Sequence, residues 1–199
     1  MAPVVVDPAH VHAFADAEAF YTWLADHHDR EPEVWIRIYK VRSGTPSITP
    51  KQAIDVVLCW GWIDGIRKSL DEVSFLQRYT PRGKKSVWSQ INVDNVERLI
   101  AEGRMTEHGL KQVEAARADG RWAQAYRVKG SSVPDDLQAA IDAVPEAKAM
   151  FETLTAQNRF ALIFRTGAMK TPAGRARKIA QFVDMLRRGE TLHPQGRSS

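Results

Sequence analysis

Cysteine is nearly absent: Cys59 is the only one among 199 residues. An internal disulfide is therefore excluded, and a reducing compartment is the simplest home. No run approaches the roughly eighteen apolar residues that a spanning helix needs, so membrane insertion is not expected. The opening stretch, MAPVVVDPAHVHAF, has no basic segment leading into a long apolar one. No secretory signal is expected, and the expected location is the cytoplasm. Glycines are scattered and none precedes a Lys-Ser/Thr pair in phosphate-loop spacing; no serine sits in a G-x-S-x-G elbow. The close histidine pairs, His10/His12 and His27-His28, have no matched cysteine or carboxylate cluster in the sequence. They read as solvated loop and helix-end residues, and no metal site is expected. Cys59 stands beside Trp60 at the end of an apolar helix, where a lone cysteine reads as core. No catalytic residue, cofactor or familiar enzyme class is indicated.

What remains is the composition of a folded, water-soluble protein, with 44% hydrophobic and 26% charged residues. A chain of this length buries roughly 70% of the surface exposed by its unfolded form, so it needs no disulfide or metal to hold a core. The net charge of +4 is unevenly spread. Residues 1–75 carry seven Lys and Arg against eleven Asp and Glu, whereas residues 76–199 carry 21 against 13. A basic half attracts phosphates, which bears on partners and not on fold.

Hydrophobic periodicity divides the chain into an α+β front and a helical back. Asp16 is placed to cap a helix running to His28, with Phe20, Trp23 and Leu24 on one face. The segment VWIRIYK alternates as a half-buried strand with Val34, Ile36 and Ile38 on one side. A turn-rich loop follows, and then Thr49-Pro50 opens a helix to about Trp60. Strands are expected at 62–70 and 74–80, giving a small three-stranded sheet with helices on one face. If the first two strands are parallel neighbours, their crossover is right-handed. Past Pro81 the pattern is helical: one helix begins near Asn92 and stops at Gly103, and another runs from Thr106 to Gly120. Trp122 and Tyr126 follow as aromatic anchors. RVKGSSVP at 127–134 reads as a linker between a domain over 14–127 and a helical domain over 134–190. Helices are expected near 134–143, 145–156, 158–170 and 172–188, with Ile179, Phe182, Val183 and Leu186 on one face of the last. The tail ETLHPQGRSS reads as frayed.

Two segments carry candidate chemistry. In CWGWIDG, alternation places Trp62, Asp64 and Ile66 on one face of a strand. A carboxylate among such bulky groups needs a hydrogen-bonding or cationic partner. Asp64 is either an acid facing a pocket or a structural residue pinning the sheet edge to a loop. In YTPRGKKSVWSQIN, the cations Arg82, Lys84 and Lys85 and the hydroxyls Ser86 and Ser89 surround Trp88, just before a helix start at Asn92. Free N–H groups at a helix start, joined by basic and hydroxyl side chains, suit an anion. The competing account is that Ser89 or Asn92 caps the helix, Trp88 packs and the cations stay in water.

These segments resemble the YdeI/OmpD-associated, or bacteriocin-protection, family of bacteria. The matching residues are GWIDG at 61–65, TPRGKKSVWSQIN at 80–92, EGRMTEHGL at 102–110 and DGRW at 119–122. TPAGRARKI at 171–179, with Leu186 and Gly189, resembles the end of that family's helical domain. Gly83 and Val87 depart from the pattern, in which another basic residue often stands. The resemblance spans about residues 14–190 and implies a cytoplasmic protein of envelope stress, antimicrobial-peptide or bacteriocin tolerance, with no agreed catalytic residues. The leading expectation is a non-catalytic binding or adaptor protein that meets an anionic small molecule or a protein partner at the sheet-to-helix junction. One alternative is a nucleic-acid binder, using the basic residues Arg159, Arg165, Lys170, Arg175, Arg177, Lys178, Arg187 and Arg188. Another is an enzyme that acts on an anionic small molecule through Asp64 and the loop from Arg82 to Ser89.

Overall fold

The computed structural model describes residues 4–127 and 132–195. The chain forms two compact units, Met1–Tyr126 and Arg127–Ser199. Most of the proposed linker at 127–134, residues 128–131, lies outside the described residues, as does the end of the tail from 196.

The first unit is built by local signals. In helix α1 (Ala17–His27) the Asp16 carboxylate accepts the Ala19 N–H at 2.9 Å, and Phe20 and Leu24 are fully buried. Helix α2 (Pro50–Cys59) opens on a reciprocal cap. Gln52 N–H donates to the Thr49 hydroxyl at 3.3 Å, and Thr49 N–H donates to the Gln52 side-chain oxygen at 2.9 Å. Both helices cover one face of the sheet, where Val34, Ile36, Ile38, Trp62 and Tyr79 join Phe20, Leu24, Val56 and Val57 in one core.

The sheet has four strands where three were expected. Strand β1 (Val11–His12) pairs in parallel with β2 (Val34–Tyr39), and two residues are too short to leave an alternating pattern. Strands β3 (Trp62–Ser69) and β4 (Ser74–Pro81) form an antiparallel hairpin. The strand order is β1-β2-β4-β3, so β4 lies antiparallel to β2 with Val34 opposite Tyr79. The strands at 34–39 and 62–69 are not neighbours, and no parallel crossover joins them. β4 suits the inside because half of its residues are buried, whereas β3, buried only at Trp62, exposed at Arg67 and containing Gly65, suits an edge. A bulge between Asp64 and Arg67 breaks the alternation of Trp62, Asp64 and Ile66. The hairpin turn is fixed by Asp71, whose carboxylate accepts the Val73 N–H (3.0 Å) and the Ser74 hydroxyl (2.7 Å) and pairs with Arg37 (2.7 Å). The other sheet face is not open where Trp35 stands. That residue is fully buried, Lys68 lies 5.8 Å from its ring centre, and the same ammonium donates to the Val4 carbonyl.

Helices α3 (Gln90–Ala101) and α4 (Glu107–Ala118) close a second core with Leu58, Cys59, Trp88, Val96, Leu99 and Val113. Gly103 takes φ +67°, which ends α3 as the sequence implied. Thr106 caps α4 by accepting the Gly109 N–H at 3.2 Å, and its hydroxyl donates to the Cys59 carbonyl at 2.6 Å. One residue thus satisfies the start of α4 and the end of α2.

The second unit holds α5 (Asp135–Asp142), α6 (Pro145–Glu152), α7 (Ala156–Gly167) and α8 (Pro172–Arg187). Leu137, Ile141, Phe151, Leu162, Ile179, Phe182 and Leu186 form its core. The tail is not frayed over 190–195. Buried Asn158 donates to the His193 carbonyl (3.0 Å) and the Gln195 side chain (2.8 Å) and accepts the His193 N–H (2.9 Å).

Candidate functional site

The segment after β4 is shaped by its backbone bonds. Arg82 N–H donates to the Gly61 carbonyl at 3.1 Å, which prolongs the hairpin by one step. Ser86 N–H then donates to the Gly83 carbonyl at 2.9 Å, and the Ser86 hydroxyl accepts the Gly83 N–H at 3.0 Å. Ser89 is the N-cap of α3, accepting the Asn92 N–H at 3.2 Å, so the helix starts at Gln90 and not at Asn92. Residues 121–126 clamp this loop. Arg121 donates to the Ser86 carbonyl (2.9 Å), Tyr126 N–H to the Trp88 carbonyl (3.0 Å) and Gln90 N–H to the Tyr126 carbonyl (2.8 Å).

Arg82 is the unusual member of this loop. Only 6% of its surface is exposed, and its guanidinium carbon lies 3.5 Å from the centre of the Trp88 ring. Nη1 donates to the Val87 carbonyl at 3.3 Å, while Nε and Nη2 have no hydrogen-bond partner among the described residues. Burial pulls its pKa down to about 10, with Arg121 adding repulsion and Asp64 acting in the opposite sense. Asp64 is opposite Tyr79 on the edge strand. It is exposed as a residue, yet partial withdrawal of its carboxyl from water raises its pKa, opposed by its own backbone N–H, Arg82 and Arg67. Arg82 and Asp64 thus share an electrostatic field without forming a contact ion pair. Trp88 is buried and meets Trp122 edge-on at 4.8 Å. Lys84 and Lys85 are exposed and make no ion pair among the described residues.

Of the residues singled out in the sequence, the fold gathers Arg82, Trp88, Ser86, Ser89 and the Asn92 N–H around one loop. It directs Lys84 and Lys85 to water. The two hydroxyls serve their own backbone, as the capping account held for Ser89. Trp62 belongs to a different place: its indole N–H donates to the His28 carbonyl at 3.2 Å, beside a cleft of about 270 Å³. His28, Trp60, Trp62, His108, Lys111 and Gln112 line that cleft. The rings of His28 and Trp60 lie 4.7 Å apart, and those of His28 and His108 4.0 Å. Gly61 turns the chain there at φ +73°, where a Cβ would stand 2.9 Å from the His108 carbonyl. The sequence places His28 in solvent and gives no sign of His108, since three elements far apart in the chain build the cleft. The same holds for His10, which approaches Glu31 at 3.4 Å, Asp7 at 3.7 Å and Glu33 at 3.9 Å despite having no carboxylate cluster beside it in sequence.

The basic residues of the second unit are largely spoken for. Arg175 forms a two-bond pair with Asp136 (2.6 and 2.8 Å), and Arg187 pairs with Asp184 (3.0 Å). Arg188 pairs with Asp184 and Glu190, and Arg159 donates to the Glu152 carbonyl at 2.7 Å. Among the described residues, no helix is long and apolar enough to cross a membrane.

Comparison with known families divides the chain in two. Residues 12–112 match the family described as Domain of unknown function (DUF8412). Residues 131–189 match that described as Bacteriocin-protection, YdeI or OmpD-Associated. The motifs at 61–65, 80–92 and 102–110 therefore fall within the first match, and TPAGRARKI at 171–179 within the second. No curated protein and no solved structure matches the chain. The chain belongs to the DUF8412 family, which covers just over half its length, and it carries a YdeI/OmpD-associated domain in its C-terminal unit.

Proposed function

We propose that this protein is a non-catalytic binding protein of bacterial stress tolerance, acting in the cytoplasm, that holds a small anion where β4 passes into α3. The observation that carries this reading is Arg82: a buried guanidinium with two N–H-bearing nitrogens that have no partner among the described residues. A buried charge is costly unless it is paired and hydrogen-bonded, and a pair of oxygens from a carboxylate or a phosphate meets both needs of an arginine. Trp88 gives the guanidinium an aromatic floor, and Lys84 and Lys85 add long-range attraction from the exposed turn. The first N–H groups of α3 add little, because Gln90 already donates to the Tyr126 carbonyl and Asn92 to the Ser89 hydroxyl. Asp64 opposes an anion and so sets a limit on its charge, through its field on Arg82. Cys59 is not a candidate nucleophile, being fully buried with its thiol pushed up to about 11. The YdeI/OmpD-associated domain supports the setting in stress tolerance.

A thermal-shift screen of phosphate, sulfate, nucleotides and small carboxylates tests this reading, with Arg82→Met as the partner variant. Methionine keeps much of the length and apolar stem while removing the buried charge. The expected result is an anion that raises the melting temperature of the native protein and leaves the variant unmoved. If no anion shifts the native protein, or if both respond alike, Arg82 is structural.

A further inference from the structure

The cleft beside Gly61 lies outside the anion reading and has a different chemistry. His28 Nδ1 is 3.0 Å from the Leu24 carbonyl. A carbonyl only accepts, so Nδ1 carries the proton of the neutral ring and Nε2 is a bare acceptor. Among the described residues that Nε2 is buried without a partner, and so is the indole nitrogen of neighbouring Trp60. One wall thus holds an unused acceptor and an unused donor, on rings 4.7 Å apart. A single hydroxyl, which both donates and accepts, satisfies the two together. His108 lies tilted across His28 and is exposed in the first turn of α4, so an outward turn of its ring uncovers this wall.

The rim fixes the charge of the guest. Lys111 is exposed and makes no ion pair among the described residues. Asp29, the acid on the rim, faces Arg30 at 3.8 Å. Aromatic walls also attract cations, but the exposed ammonium of Lys111 opposes one and favours a carboxylate. The cleft, at about 270 Å³, is smaller than the roughly 300 Å³ at which drug-sized sites begin, which limits the guest to one ring.

We infer that this cleft binds a single-ring aromatic carboxylate bearing a hydroxyl. The ring lies against Trp60 and Trp62, the carboxylate meets Lys111, and the hydroxyl bridges His28 Nε2 and the Trp60 N–H. The probe is 4-hydroxybenzoate, titrated into the full chain and followed by calorimetry and tryptophan quenching. Benzoate, cyclohexanecarboxylate and inorganic phosphate serve as comparisons. Saturable one-to-one binding is expected, weakened at least about tenfold on loss of the hydroxyl in benzoate or of the ammonium in Lys111→Gln. Phosphate should not displace the probe. Lys111 is exposed, so its variant retains the fold. No saturable binding, an unchanged affinity in Lys111→Gln, equal binding of cyclohexanecarboxylate, or displacement by phosphate would each overturn the inference.

Discussion

Gly109→Ala sets two physical effects against each other. Gly109 lies in the first turn of α4, and replacing a helical glycine by alanine ordinarily stabilises, by at most about 1 kcal/mol. Here an added Cβ would stand 2.3 Å from the Cys59 carbonyl oxygen, 2.9 Å from its carbon and 2.8 Å from the Met105 methyl. The methyl can swing away, but the Cys59 carbonyl cannot. It ends α2 and is held by both the hydroxyl (2.6 Å) and the N–H (3.2 Å) of Thr106. The substitution therefore forces α4 off α2, strains the packing of Val113 and Ala116 and loosens the Thr106 bonds. Overpacking of this kind costs about 1–3 kcal/mol, and losing a hydrogen bond to a buried carbonyl adds about 1 kcal/mol. Net of the propensity gain, a loss of about 1–3 kcal/mol is expected. Urea unfolding followed by tryptophan fluorescence reads it directly, because Trp60 and Trp88 lie in or against the same core. A midpoint that is unchanged or raised would mean that α2 and α4 do not approach this closely.

Phe182 is 5% exposed in the core of the second unit, so Phe182→Ala should lower stability by about 3–5 kcal/mol, read as a lower denaturation midpoint. The Cys59 thiol should resist alkylation in the native protein at pH 8 and react once the chain is unfolded. Its pKa rises on folding from 9.0 to about 11, so the folded state holds the proton more tightly. The associated stability is complete below pH 9 and is lost as pH rises through 11; Cys59→Ala should flatten that fall in a pH series of urea midpoints. With Arg175, Arg187 and Arg188 engaged by neighbouring carboxylates, gel shifts at low salt should show no nucleic-acid binding. Binding that weakens steeply with salt, and that Arg177→Glu abolishes, would restore the nucleic-acid reading.

The sequence by itself determined the elements whose causes lie within four residues of each other. Asp16, Thr49-Pro50, Thr106 and Thr171-Pro172 each mark a helix start by a cap formed locally, and the face of α8 bearing Ile179, Phe182 and Leu186 follows from its period. The α+β character and the 62–69 and 74–81 hairpin were legible for the same reason, because a turn and two alternating runs are neighbours in the chain. The strand order was decided only by tertiary structure. β4 took the place beside β2 because it buries more of its side chains than β3, a comparison no single segment contains. Tertiary structure also separated three neighbouring cations that look alike in sequence, sinking Arg82 under Trp88 and leaving Lys84 and Lys85 in water. It alone brought His28, Trp60 and His108 together. Their meeting depends on α4 lying close against the end of α2 at Gly109, a contact between distant segments that leaves no periodic or local mark.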